Sequence, residues 1–423
     1  MRLITPSSQG ASPVSRVNPH KASNALAMET RYVLVEMHNH VHLSTVYGDA
    51  FADEAIQTLQ QRVRLWGALV VDLRPGVFLA MFMTGAATFT ADDPSDFARR
   101  VENWQLELAA VLFEFEGGTA LPVVTVRSVE SSRLGPVGSG FCYPEALDHL
   151  DALSPQLPLP QFGAGWCLDY KRSMAQAVAL VEALNAGQIC LEFQPVMRHD
   201  RAGVELYAEG LLRVSDFAAS SGPATFIPAL ERLGLVRMLD RAVVLAALNE
   251  LEQRPNARLG CNVSACSVML DSFWGRVVDR LAAQPDVAGR LTIEITETAP
   301  LPDFDVAVAF VRRLKALGCQ IALDDFGAGH SSIAFARAVK PDVIKVDGSY
   351  LHRARESVED AQVLRNMVSL CRALAPMVVV EKVEGEQDAR MAIEAGAVGL
   401  QGFGVACLEA RHRCLVRGIK AKN

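Results

Sequence analysis

The sequence predicts an α/β protein: a TIM-type (β/α)8 barrel preceded by a smaller α+β domain. Three observations carry this expectation. From residue 170 onward, apolar segments of strand length alternate with helical ones eight times within roughly 240 residues, the count of a closed barrel. Each apolar segment ends in acids, amides or a lysine, as expected where strands open onto one catalytic rim. Neither G-x-G-x-x-G nor G-x-x-x-x-G-K-S/T occurs, which disfavours an open, doubly wound nucleotide-binding sheet.

The elements follow in chain order. Residues 1–28 are rich in Ser, Pro, Asn and Ala, lack the apolar core of a signal peptide, and read as a disordered tail. A first domain with its linker spans 29–160. It opens with a strand at 32–35, followed by a helix at 53–65 and strands at 68–71 and 77–83. A helix at 95–113 and a strand at 121–126 complete an α+β order. Gly135-Pro136, Gly138, Gly140, Pro155, Pro158 and Pro160 punctuate a linker, within which 144–153 reads as a short docking helix. The barrel domain spans 170–415. After a helix at 171–185, its strands are expected at 190–195, 204–212, 259–263, 291–295, 320–323, 343–346, 377–380 and 397–400. Helices are expected between them, for example at 226–251, 306–317, 332–338, 357–373 and 387–395.

Bulk properties narrow the function classes. A net charge of −7 over 423 residues lacks the basic footprint of a DNA-binding protein. The nine cysteines are scattered, without a C-x-x-C pair, which fits reduced thiols in a cytoplasmic protein. The longest apolar run, 77–89, is too short for a membrane span. His38, His40 and His42 alternate, so they are expected to share one face of a strand continuation, a solvated face being favoured over a metal site.

The strand ends carry Gln194, Glu209, Asn262, Glu294 with Glu297, Asp324 with Asp325, Lys345 with Asp347, Glu381 with Glu384, and Gln401. Each has a plain structural reading on its own. Glu209 could pair with Arg213, Asn262 could cap a helix, Asp324-Asp325 could form a turn, and Lys345 could pair with Asp347. As a set facing one mouth, so many acids need positive charge among them. Oxygen-only ligands suit Mg²⁺ or Mn²⁺ rather than zinc, and adjacent aspartates suit a two-metal site. Paired metals about 4 Å apart polarise a phosphodiester and activate water, with a lysine nearby to steady developing charge. From residue types alone, the chemistry is metal-assisted phosphoester hydrolysis.

At these residues the chain resembles the EAL-domain cyclic di-GMP phosphodiesterases. Glu209-Gly210-Leu211-Leu212-Arg213 resembles E-A-L-L-R with Gly for Ala, and Asn262-Val263-Ser264-Ala265 matches N-V-S-A. Glu294-Ile295-Thr296-Glu297-Thr298 resembles E-(I/L/V)-T-E-S, and the run from Asp324 to Ser332 is similar to D-D-F-G-(T/A)-G-Y-S-S. Lys345-Val346-Asp347 resembles K-I-D, Glu381-Lys382-Val383-Glu384 resembles E-G-V-E, and Gln401-Gly402-Phe403 resembles Q-G-Y. The resemblance implies one metal on Glu209, Asn262, Glu294 and Asp324, and a second on Asp324, Asp325 and Glu381. It implies that Lys345 contacts the nucleophilic water or scissile phosphate, and that Gln401 sits behind the ligands. Glu297 would steady the loop 326–332. Gln194 and Arg213, with Asp347 and Glu384, would face the substrate, cyclic di-GMP, whose product would be pGpG. A homodimer through the helix at 332–339 is a further expectation of the resemblance.

Several positions depart from the family pattern. Lys382 stands where E-G-V-E has glycine, His330 replaces the loop tyrosine, and Gly348-Ser349 replaces R-S. Gly404-Val405-Ala406-Cys407-Leu408 replaces F-(S/G)-(R/K)-P-L. None removes a metal ligand. The competing readings are a barrel that binds cyclic di-GMP without turnover and a protein-interaction scaffold. The first domain resembles a degenerate GGDEF (diguanylate cyclase) domain. Only Tyr47-Gly48, Asp53 and apolar positions of its metal-binding segment survive, Glu36 and Ser44 replacing an aspartate and an asparagine. Its signature falls on Arg74-Pro75-Gly76-Val77-Phe78, where Pro75 is expected to distort the hairpin, and the R-x-x-D inhibition site is absent. The resemblance therefore implies no cyclase activity, and a role in regulation, dimerisation or capture of a signalling protein.

Overall fold

The computed structural model describes residues 30–83, 94–130, 155, 157–161, 163–201, 203–214, 223–296, 298–329, 332–406 and 413–416. The N-terminal tail and the segment 144–153 lie outside them. The first domain runs β1 (Thr30–Met37), α1 (His40–Tyr47), α2 (Asp49–Leu65), β2 (Leu69–Arg74), β3 (Val77–Met83), α3 (Pro94–Ala109), β4 (Phe113–Phe115), β5 (Gly118–Ala120) and β6 (Val124–Val129). Four strands form an antiparallel sheet in the order β2-β3-β1-β6, and β4 and β5 make a separate hairpin. An aromatic stack anchors the core, with the Trp104 ring 4.5 Å from Phe82 and 5.1 Å from Trp66 between centroids.

The three alternating histidines do not share a strand face. The β1 strand stops at Met37, and the Asn39 side chain ties the turn by donating to Leu121 O and accepting from Val123 N, both at 2.9 Å. The chain then enters α1, which carries His40 and His42. His38 instead bonds Thr125 Oγ1 at 2.8 Å, and His42 donates to Pro158 O at 2.7 Å. Pro75-Gly76 makes a two-residue turn between Arg74 and Val77, with irregular register at Asp72/Arg74 and Gly76 at φ +77°.

The barrel follows as α4 (Ala164–Ala186), β7 (Ile189–Arg198), β8 (Glu205–Val214), α5 (Pro223–Leu233), α6 (Val236–Gln253), β9 (Leu259–Ser264), α7 (Gly275–Ala283), α8 (Pro285–Ala288) and β10 (Leu291–Thr296). It continues with α9 (Phe304–Ala316), β11 (Gln320–Phe326), α10 (Ile333–Val339), β12 (Val343–Val346), α11 (Gly348–Ala354), α12 (Val358–Leu374), β13 (Met377–Val380), α13 (Glu386–Glu394), β14 (Gly399–Leu400) and β15 (Arg413–Val416). Strands β7 to β14 close into a barrel through pairing of β14 with β7, and β15 adds outside along β7.

Two expectations are corrected here. The first strand is reversed: β7 pairs antiparallel with both β8 and β14, so Gln194 lies mid-strand opposite Glu209 rather than at a carboxyl end. The single helix expected at 226–251 is two, because Gly234 adopts φ +72°, a left-handed conformation that ends α5. A buried ion pair joins the domains: Glu102 of α3 accepts from Arg241 Nη2 of α6 at 3.2 Å and from the Arg276 backbone N–H of α7 at 2.8 Å. Ser272 adds hydrogen bonds to Gln105 Oε1 and Val126 O, each at 3.2 Å.

Candidate active site

The ring of functional side chains is set by strand register. Glu209 on β8 lies opposite Gly260 on β9, and Asn262, two residues on, lies opposite Glu294 on β10. Gly260 is glycine for space: a Cβ there would collide with Glu294 Oε1 and sit 2.6 Å from the Tyr207 ring. Strand residues normally alternate between faces, so Asp324 and Asp325 should point apart. Instead β11 loses register between Leu323 and Phe326, and Asp325 takes φ +50°, which turns both carboxyls toward the site. Asp tolerates that left-handed conformation better than most residues.

At the centre stands Lys345, fully buried on β12. Its ammonium is 2.8 Å from Glu209 Oε2, Glu294 Oε2 and Asp324 Oδ1, and 2.9 Å from Glu381 Oε1. The Lys345–Asp347 pairing open to the sequence is therefore not formed, and Glu209 does not pair with Arg213. Glu209 also accepts from Asn262 Nδ2 at 2.6 Å and from Gln401 Nε2 at 2.7 Å, and Gln401 reaches Gln194 Oε1 at 3.3 Å. Tyr207 donates to Glu294 Oε2 at 3.2 Å. The sequence reading missed Tyr207, although it precedes Glu209 by two on the same strand face.

Charge follows the geometry. Burial and the Glu209 charge push Glu294 well above the usual carboxylate range, and burial with the Asp324 charge does the same for Glu381. Burial would raise Glu209 too, but the Lys345 ammonium and its hydrogen bonds hold it below the ordinary value. Burial and the adjacent Asp324 raise Asp325 to about 6.

Among the described residues, two carboxylate groups could hold a metal ion: Glu209, Glu294 and Asp324, and beside them Asp325, Asp347 and Glu381. In each, one oxygen per residue lies within 4.8 Å of the others. Asn262 Oδ1 and Glu294 Oε1 are buried without a hydrogen-bond partner among the described residues, which fits a cation as the missing neighbour. An all-oxygen donor set suits Mg²⁺ or Mn²⁺.

Other expected residues are engaged by partners of their own. Arg213 pairs with Glu192 at 3.0 Å on the outer part of β8 and β7. Glu384 is at the rim, 3.1 Å from Arg355. One oxygen of Asp347 caps α11, accepting from Ser349 N at 3.0 Å, and its other oxygen meets Lys382. Glu297 lies outside the described residues.

Curated proteins match about half of the chain. The cyclic di-GMP phosphodiesterase PdeF of Escherichia coli is 31% identical over 242 residues, 56% of this chain and 32% of PdeF. The uncharacterized protein Rv1354c of Mycobacterium tuberculosis is 33% identical over 187 residues, 43% of this chain and 30% of that protein. The chain thus spans about a third of the length of these relatives. Among solved structures, the S helix-GGDEF-EAL portion of Vibrio cholerae LapD aligns with a TM-score of 0.50 and 15% identity, covering 88% of each chain. That likeness is one of fold. No helix among the described residues is long and apolar enough to cross a membrane. The sequence model of the EAL domain matches residues 177–407, more than half of the chain, and the chain belongs to the EAL domain family.

Proposed function

We propose that the barrel is a metal-dependent phosphodiesterase that opens cyclic di-GMP to linear pGpG. The observation that carries the reading is the imbalance at Lys345. One buried ammonium faces four carboxylates within 2.9 Å, beside an unpartnered amide oxygen of Asn262, so the ring has the charge and donors to take divalent cations. In this reading Glu209, Asn262, Glu294 and Asp324 hold one Mg²⁺ or Mn²⁺, and Asp325 with Glu381 faces the position of a second. A divalent cation held by these residues would polarise a phosphodiester and lower the pKa of a water. Lys345 keeps the acids from repelling one another and presents its ammonium where charge grows on the phosphoryl oxygens. Gln401 and Tyr207 fix the orientation of Glu209 and Glu294. Gln194 and Arg213 line the approach for the dinucleotide, and Glu297 belongs to the adjoining loop segment.

The first domain is read as an inert GGDEF-like unit that regulates or dimerises the barrel or binds a signalling protein. Glu36, at the position of the cyclase metal aspartate, is held by Arg74 at 3.2 Å and Arg127 at 3.6 Å. Dimerisation is assigned to α10.

A second reading is a receptor that binds cyclic di-GMP without turnover. It is favoured by Lys345 itself, which already contacts Glu209, Glu294, Asp324 and Glu381.

The deciding experiment incubates the full chain with cyclic di-GMP and Mg²⁺ or Mn²⁺, follows pGpG by chromatography, and runs Glu209→Ala as control. Metal-dependent product absent from the variant is the expected result. No product with calorimetric binding retained would overturn the enzyme in favour of the receptor, and neither product nor binding would leave a protein scaffold.

A further inference from the structure

Two departures from the family pattern meet in space. Lys382 occupies the glycine position of E-G-V-E and keeps the backbone glycine favours, at φ +56°. Gly348 occupies the arginine position of K-I-D-R-S. A Cβ added at Gly348 would lie 2.6 Å from Lys382 Cδ and 2.7 Å from Lys382 Cγ. The two changes therefore form one exchange, in which bulk lost at 348 makes the room that the Lys382 stem fills.

The stem directs the ammonium to a defined place. Lys382 Nζ meets Asp347 Oδ2 directly and lies 3.9 Å from Asp325 Oδ1. These two aspartates, with Glu381, make up the second carboxylate group of the site. The remaining oxygen of Asp347 is committed to the α11 N-terminus. A divalent ion entering this group competes with a lysine already fixed by the backbone at the next residue after Glu381.

We propose that Lys382 is a tethered cation standing in for the second metal ion, so that this chain binds one divalent ion where the ligand set offers two places. The remaining ion belongs to Glu209, Asn262, Glu294 and Asp324. The inference rests on the metal-site reading above and adds that the second place is filled by the protein itself.

Metal stoichiometry tests it without reference to turnover. The full chain is stripped with EDTA, equilibrated with Mn²⁺, and analysed by elemental analysis and electron paramagnetic resonance. Lys382→Gly suits the left-handed backbone, and Lys382→Gln keeps most of the stem while removing the charge; thermal melting verifies that both fold. The expected result is one Mn²⁺ per wild-type chain and two in both variants, with a spin-coupled manganese spectrum only in the variants. Two ions in the wild type, or one in all three proteins, overturns the role of Lys382 and leaves the metal reading standing. No bound Mn²⁺ in any of them overturns the metal reading and this inference together.

Discussion

Replacing Lys345 with methionine keeps most of the length of the side chain and removes the only charge that all four acids share. In the metal-free protein this leaves Glu209, Glu294, Asp324 and Glu381 facing a neutral thioether, after losing contacts of 2.8–2.9 Å. Removing one partner of a buried ionic cluster costs about 3–5 kcal/mol. At about 2–4 °C per kcal/mol for a domain of this size, the expected fall in Tm is about 6–20 °C. Its pH dependence has a definite sign. Carboxyls whose folded pKa is raised, as those of Glu294 and Glu381 already are, contribute stability below their unfolded pKa and lose it as pH rises through the folded one. Without Lys345 these values rise further. Glu209, held low in the wild type, keeps its pairing with Lys345 until the pH falls below the ordinary carboxylate range. The Lys345→Met deficit should thus be largest near pH 8 and shrink toward pH 5. The assay is differential scanning calorimetry in EDTA across that range, repeated with Mn²⁺. A deficit that does not change with pH, or one below about 2 °C, would refute the reasoning.

Two glycines should behave oppositely when changed to alanine. Gly260→Ala drives a methyl into Glu294 Oε1 and Tyr207, and should lower stability by about 1–3 kcal/mol and weaken Mn²⁺ binding measured by calorimetry. Gly210→Ala meets Gly260 O and Leu191 Cδ1 at 3.3 Å, and should stay within about 1 kcal/mol of the wild type by chemical denaturation. Glu102→Ala strands Arg241 between the domains and should cost about 3–5 kcal/mol, read as an earlier calorimetric transition together with faster proteolysis after Arg241 or Arg276.

The strand positions of the barrel were legible because strands covered on both faces read as continuous apolar runs. Val343–Val346 and Met377–Val380 match the expected spans, and the polar residue that ends each run marks the rim. The direction of β7 was not legible, since an apolar run reads alike both ways and only the pairing of Ile189 with Val214 and of Arg198 with Gly399 reveals the reversal. The alternating histidines misled because period two was read as a strand, while the Asn39 side chain ends the strand just before them. The acids and Lys345 were placed on one rim, but not the four direct contacts that Lys345 makes with them. Along the chain the nearest acid is Asp347, whereas the closed barrel brings four distant residues closer. That Lys382 and Gly348 are one exchange could not be seen in a linear sequence, where they lie on separate strand ends far apart along the chain.

The reversed first strand also decides where the N-terminal domain is attached. Ile189, the start of β7, lies beside Val214, the carboxyl end of β8, so the chain enters the barrel from the rim that carries the acids. A barrel of eight like-directed strands would be entered from the opposite floor. Helix α4, which ends at Ala186 and turns through Gly187 at φ +70°, is therefore fixed at the rim that carries the acids. Its far end is gripped by the first domain, where Met174 Sδ accepts from the Leu121 N–H and Tyr170 stacks on His42. From the turn at Gly187, β7 alone leads to Gln194, which Gln401 links to Glu209, so the first domain and the acid ring are joined by one helix and one strand.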